Sequence, residues 1–282
     1  MKKVLYVGAT GNVGSYVAPI LKDKYNLTLT GLGGGEVAGL PVADLDIADW
    51  QAVEELVMAG AADGSPFDAI VNCAIADPRN RDMKNPEERR KYYELCIEVN
   101  ARGAYHLYEA AARAKIPRVV YVGSLTAVLG HPRYPVLDEE SIDRPANVYA
   151  ACKIFGEHAG RAYAYNELNG ATGMQVICLR LGQPYPSDFY SMRDAEWLKT
   201  SEGRALAADV RDIAVAIDCA LETDVHYGVY SIVSGSDEPY VSPALYRELG
   251  YNPRWKFTRD GLLQAEENEV FEPVERTRVE VA

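Results

Sequence analysis

Residues 4–24 read VLYVGATGNVGSYVAPILKDK, and this stretch decides the fold. Val4 to Val7 is a short apolar run of β-branched and aromatic residues, bounded by glycine, and reads as a buried strand. Gly8-Ala9-Thr10-Gly11-Asn12-Val13-Gly14 follows at once, and residues 12–24 carry a helical pattern. Strand, glycine turn and helix in that order form the setting in which such glycines let a pyrophosphate approach the backbone at a helix N-terminus. Gly8, Thr10, Gly11, Asn12, Val13 and Gly14 are therefore candidate dinucleotide-binding residues.

Outward from this turn, short apolar runs alternate with helical patterns: strands at 27–30, 40–42, 67–72, 119–122 and 174–181, helices at 49–59, 85–114 and 148–168. That alternation predicts an α/β fold with a Rossmann-type doubly wound parallel sheet. Asp49 is a helix N-cap candidate. Residues 31–39, with glycines at 33, 34 and 35, read as a flexible connection. After Gly182 the pattern weakens; residues 1–182 are expected to form the dinucleotide-binding domain and 183–282 a small, interleaved substrate lobe.

Tyr149-Ala150-Ala151-Cys152-Lys153 places a phenol and an ammonium on one helix face. A lysine beside a tyrosine favours the phenolate. Lowering a phenol from about 10 toward about 7 corresponds to about 4 kcal/mol of preference for the ionised form. Beside a nicotinamide, such a base suits oxidation of an alcohol.

With 282 residues, 48% hydrophobic and 25% charged, the chain has the composition of a globular protein. A net charge of −12 argues against nucleic acid and anionic membranes as partners. The five cysteines, at 73, 96, 152, 178 and 219, show neither Cys-x-x-Cys spacing nor histidines at metal spacing, so no metal site is expected. Reduced, buried thiols suit a cytoplasmic location. No apolar run reaches the length of a membrane span.

The Gly-x-x-Gly-x-x-Gly spacing, with Tyr-x-x-x-Lys downstream, resembles the extended short-chain dehydrogenase/reductase family, of the epimerase/dehydratase type. The resemblance covers residues 1–182 well and the rest loosely. It implies that Asp46-Ile47 contacts adenine, with Asp44-Leu45 competing for that role, and that Asn72-Cys73-Ala74 lines the cofactor. Asn100 opens the family's helix motif. YAACKIFGE, residues 149–157, matches the family's active-site helix, in which Lys153 also holds the nicotinamide ribose. The third catalytic member implied is Ser124, with Thr126 as the fallback.

At the end of the second strand, where an acid often holds the ribose 2′-hydroxyl, the chain has Thr30 and Gly31. No arginine follows to hold a 2′-phosphate, and Glu36 lies among glycines. NAD and NADP both stay open, with the balance toward NAD. Within the family, Leu179-Arg180-Leu181-Gly182-Gln183-Pro184 is similar to a segment of uronate dehydrogenases, implying that Arg180 grips a sugar-acid carboxylate. Ala76, Ser124, Leu125, Thr126 and Tyr149 fall at their other substrate positions, although those enzymes carry serine where Ala76 stands and Asn-His where Leu125-Thr126 stand. The resemblance implies a sugar or sugar-acid dehydrogenase, with a nucleotide-sugar epimerase or dehydratase as the alternative and a redox-sensing binding protein as a third reading. It also implies a homodimer packed through the helices at 85–114 and 148–168.

Overall fold

In a computed structural model of the chain, residues 1–62, 66–76, 81–131, 141–166, 173–186, 195–236 and 248–264 are described. The first half runs β1 (Lys3–Val7), α1 (Gly14–Leu21), β2 (Asn26–Gly31), β3 (Gly35–Val37), β4 (Leu40–Asp44), α2 (Trp50–Ala62) and β5 (Ala69–Asn72). Next come α3 (Pro86–Cys96), a π-helical segment (Ile97–Gly103), α4 (Ala104–Arg113), β6 (Arg118–Ser124), a 3-10 turn (Leu125–Ala127), α5 (Val148–Tyr165) and β7 (Gln175–Leu181). The last third holds β8 (Gln183–Tyr185), α6 (Ala195–Leu198), α7 (Ser201–Leu206), β9 (Ala207–Asp209), α8 (Val210–Glu222), β10 (Tyr227–Ile232), β11 (Gly235–Ser236), β12 (Trp255–Thr258) and β13 (Gly261–Gln264).

Eight strands form the main sheet in the order β10-β7-β6-β5-β1-β2-β4-β3. All pairs are parallel except β3 with β4. Strand order reverses between β1 and β5, so the crevice for a ligand lies at their C-terminal ends. The period-2 alternation of β1 divides its side chains between two cores. Val4 and Tyr6 pack with α1 and α8, through Val17, Leu21, Ile213 and Ile217. Leu5 and Val7 pack on the other face with α2 and α4, through Val53, Val57, Leu107 and Ala111. Burying a Val or Leu side chain contributes about 1.5–3 kcal/mol, so a one-residue slip of β1 would cost several times that.

The cap expected at Asp49 is in place, and a second cap, not read from the sequence, starts α5. Asp49 Oδ1 accepts from the amides of Gln51 (2.9 Å) and Ala52 (3.3 Å). Asn147 caps α5, its side chain accepting from Ala150 N at 2.9 Å. Two expectations change. The glycine run at 31–39 is not a plain connection: it contains β3, which turns back onto β4 with Gly35 opposite Val42. The helix expected over 85–114 is interrupted by the π-helical turn around Asn100. Outside the main sheet, β8 pairs with β9, and β11, β12 and β13 form a small sheet. Residues 242–249, whose sequence reads as a short helix, fall mostly outside the described residues.

Candidate active site and cofactor cradle

The glycine turn is tied to both neighbouring strands. Gly8 and Ala9 donate their amides to Thr30 O at 2.8 and 2.9 Å. Gly8 has φ +86°, and a Cβ there would stand 2.7 Å from Ala74 N, so only glycine lets this turn touch the segment after β5. Around Gly11 the only near atom a Cβ would meet among the described residues is Gly8 O, at 3.2 Å, which leaves its outer side open to them. Val13, the N-cap of α1, places no side chain on the first-turn amides. Ser15 N donates to Gly11 O at 3.0 Å and Tyr16 N to Val13 O at 3.2 Å, which winds the first turn of α1 directly onto the glycine turn. The positive end of that helix beside an open glycine forms a cradle suited to a pyrophosphate. The residues present thus fit a dinucleotide.

Beside that cradle, past the end of β4, Asp46 is exposed and its Oδ1 accepts from Ala48 N at 2.9 Å. Ile47 is buried, and its carbonyl lies 2.9 Å from His106 Nδ1. Leu45 N donates to Gly31 O at 3.2 Å, binding the end of β4 to the end of β2. Asn72 Oδ1 accepts from Ala74 N at 3.1 Å. The Cys73 thiol donates to Tyr6 Oη at 3.1 Å and is pushed up to about 12 by burial, so it stays a neutral thiol. Asn100, inside the π-turn, accepts from Ala76 N through Oδ1 at 2.9 Å. Its buried Nδ2 has no partner among the described residues. A single π-turn re-aims one side chain within a helix and is common at functional sites.

The catalytic candidates converge at the C-terminal end of β6. Ser124 ends that strand, and its Oγ accepts from Thr126 Oγ1 at 2.9 Å and Thr126 N at 3.3 Å. Ser124 is thus also the cap of the 3-10 turn, and Thr126 is hydrogen-bonded to it. The Tyr149 phenol lies close enough to the Ser124 side chain for that hydroxyl to favour the phenolate. Lys153, one turn on, is 1% exposed. Its Nζ donates to Val122 O at 3.0 Å and Ala74 O at 3.4 Å and lies 5.1 Å above the Tyr121 ring.

The electrostatics differ from the expectation. Burial pushes Tyr149 up to about 12, against the pull of Ser124, and burial pushes Lys153 down to about 8. The ammonium is spent on two carbonyls and a ring face, so it does not offset the desolvation of the phenol. An ionised Tyr149 requires further positive charge nearby.

The substrate positions divide. Ser124, Thr126 and Tyr149 come together, as above. Ala76 is 1% exposed and packs with Tyr92, Cys96, Cys152 and Tyr149 behind the phenol. Leu125 is 3% exposed and belongs to the core cluster rather than to a substrate surface. Arg180 is a correction in kind. Its Nε donates to both Glu157 oxygens at 3.0 and 3.1 Å, and its Nη2 donates to Glu157 Oε2 at 2.6 Å and Asp143 Oδ1 at 2.5 Å. Burial disfavours its charge, but the hydrogen bonds and charges of Glu157 and Asp143 outweigh that and raise its pKa. With two carboxylates on one 6%-exposed guanidinium, Arg180 locks β7 to α5 instead of awaiting a third. Sequence spacing hid the partners of Arg180, which lie 23 and 37 residues away.

The description "NAD dependent epimerase/dehydratase family" matches residues 4–196. The chain belongs to that family. It is 28% identical over 270 residues to an L-arabinose 1-dehydrogenase (NAD(P)(+)) of Haloferax volcanii, covering 90% of this chain and 97% of that one. It is 24% identical over 259 residues to a uronate dehydrogenase of Pseudomonas syringae pv. tomato, covering 89% and 82%. Among solved structures, a glucuronic acid dehydrogenase from Chromohalobacter salexigens superposes with a TM-score of 0.71 at 25% identity, over 89% of this chain and 84% of that one. The family member described here is an NAD(P)-dependent oxidoreductase, and its described residues contain no helix long and apolar enough to cross a membrane.

Proposed function

We propose that the protein oxidises a hydroxyl-bearing carbon of a small sugar or sugar acid, with Tyr149 as the base and Ser124 and Lys153 as its catalytic partners. One observation carries this reading. Ala74 touches both halves of the site: its amide abuts Gly8 of the cofactor turn, and its carbonyl accepts from Lys153 at 3.4 Å. The base is thereby set beside the dinucleotide cradle.

The oxidised nicotinamide, when bound, supplies a hydride acceptor and a positive charge near the phenol. Ser124 donates to the substrate oxygen and fixes its orientation. Tyr149 takes the hydroxyl proton as the carbon gives up its hydride. Lys153 holds the carbonyls of β6 and the 73–76 segment together and holds the nicotinamide ribose. Asn72, Cys73 and Ala74 line the cofactor, Asp46-Ile47 meets its adenine, and residues 183–282 form the substrate lobe. The full coverage of a short sugar dehydrogenase supports a free sugar over a nucleotide sugar as substrate.

The test is the near-ultraviolet absorbance of reduced nicotinamide, followed with purified protein, NAD or NADP, and a panel of aldoses, uronic acids and sugar phosphates. A rise with one sugar class is expected. Bound cofactor without any rise would overturn the reading. Tyr149→Phe should lower kcat by about a thousandfold while cofactor binding persists.

The protein is further proposed to be a cytoplasmic homodimer. Five unpaired cysteines suit a reducing compartment. Ile97, Tyr105 and Phe155 stand 43–50% exposed along the helices at 86–113 and 148–165. Light scattering should give twice the chain mass, and a monomer mass at micromolar concentration would exclude this pairing.

A further inference from the structure

The end of β2 lacks the acid that commonly holds the adenosine ribose, and the structure shows why none stands there. A Cβ at Gly31 would lie 2.6 Å from Thr10 Oγ1, so the threonine of the cofactor turn fills the space a side chain at 31 would need. The neighbouring strand supplies a carboxylate instead. In the parallel register of β2 and β4, Gly31 lies opposite Asp44, the last residue of β4. Asp44 is exposed, and its Oδ1 accepts from Gly33 N at 2.6 Å. This places the carboxylate on the turn that immediately follows β2, leaving Oδ2 without a partner among the described residues. Glu36 does not compete: it sits on β3, opposite Pro41, at the outer edge of the sheet. Asp46 is turned to Ala48 N.

We infer that Asp44 is the ribose-holding acid of this enzyme, moved from β2 to β4, and that it makes the protein prefer NAD to NADP. A carboxylate accepts from two ribose hydroxyls and repels a 2′-phosphate. A second observation agrees. Between Lys24 and Arg79 the chain contains no lysine or arginine, although this span supplies β2, β3, β4 and α2 around the adenosine end. A 2′-phosphate would meet Asp44 and Asp46 there and no cation from these elements.

The test is calorimetric titration of the intact protein with NAD and with NADP, which does not depend on the substrate. Wild type should bind NAD at least about tenfold more tightly than NADP, the scale of one charged hydrogen bond. Asp44→Asn keeps an acceptor for Gly33 N but removes the charge. It should weaken NAD binding by about tenfold and erase the preference. Asp44→Ser, compared in the same way, covers the case in which the asparagine variant folds poorly. Equal affinity of wild type for the two cofactors would overturn the inference without any variant. So would an equal loss of both affinities in Asp44→Asn, which would assign the residue to the turn alone.

Discussion

Tyr149 and Lys153 carry opposite consequences of the same burial. The phenol is driven to about 12 and the ammonium down to about 8, so each is pushed toward its neutral form. Oxidation needs the phenolate, and a fixed positive charge favours it. The sign follows: raising pH removes the proton that blocks Tyr149, so kcat/KM for oxidation should climb from neutrality toward the raised range of the phenol, at about 12. Lys153→Met removes the ammonium that ties Val122 O to Ala74 O beside the phenol. The climb should keep its position on the pH axis, while the rate near neutrality should fall by about a hundredfold. A pH–rate profile of the two proteins checks both points, and a flat profile for the wild type would remove Tyr149 from the role of base. These two residues were legible in the sequence because their spacing is local. The partners of Arg180 were not, since Glu157 and Asp143 reach it through the packing of α5 and the loop before it.

At the scale of elements, α5 owes its place to a glycine the sequence motif contains but does not explain. A Cβ at Gly156 would lie 2.3 Å from Tyr121 Cζ and Oη, and Tyr121 is the ring under Lys153. Alanine gains about 1 kcal/mol of helix propensity over glycine. The buried ring has nowhere to go, and such overpacking costs about 1–3 kcal/mol. Gly156→Ala should therefore lower the denaturation midpoint and, by lifting α5, lower kcat as well. A stabilised variant would show that the helix can shift freely over β6. Strands and helices around this contact were readable from their periods of two and 3.6 residues. The β3–β4 hairpin was not, because a run of glycines has no pattern to read: Gly33, Gly34, Gly35 and Gly39 all take positive φ, which turns the chain back on itself. The π-turn was hidden for the opposite reason. The apolar pattern runs on through residues 97–103, and one extra residue per turn leaves it intact while aiming Asn100 at Ala76 N.

Across the whole molecule, the small C-terminal sheet is fixed to the main sheet, and in the proposed reaction that attachment would let substrate meet Tyr149 in one geometry. Asp212, fully buried near the start of α8, makes that attachment. One carboxylate accepts from Ser234 Oγ at 2.5 Å, Arg254 N at 2.6 Å and Trp255 N at 3.2 Å. The segment that follows the main sheet and the start of β12 are thus held by one side chain. Arg211 adds a second tie: paired with Asp209 at 2.8 Å, it stacks over the Trp255 ring at 3.1 Å. Burial lifts Asp212 to about 7, against the pull of its three donors. Asp212→Ala leaves those donors without their acceptor, and each unsatisfied buried group costs about 1–3 kcal/mol. The loss should therefore be about 2–4 kcal/mol, since relaxation and water recover part of it. Asp212→Asn should also destabilise, because its amide NH2 turns a donor toward donors. Urea denaturation gives the stability and the KM for sugar gives the geometry. A destabilised Asp212→Ala with raised KM but unchanged cofactor affinity would show the small sheet acting on substrate alone. A variant as stable as wild type would mean that β12 is held by its apolar contacts, Phe257 against Tyr185 and Leu198, and not by the carboxylate.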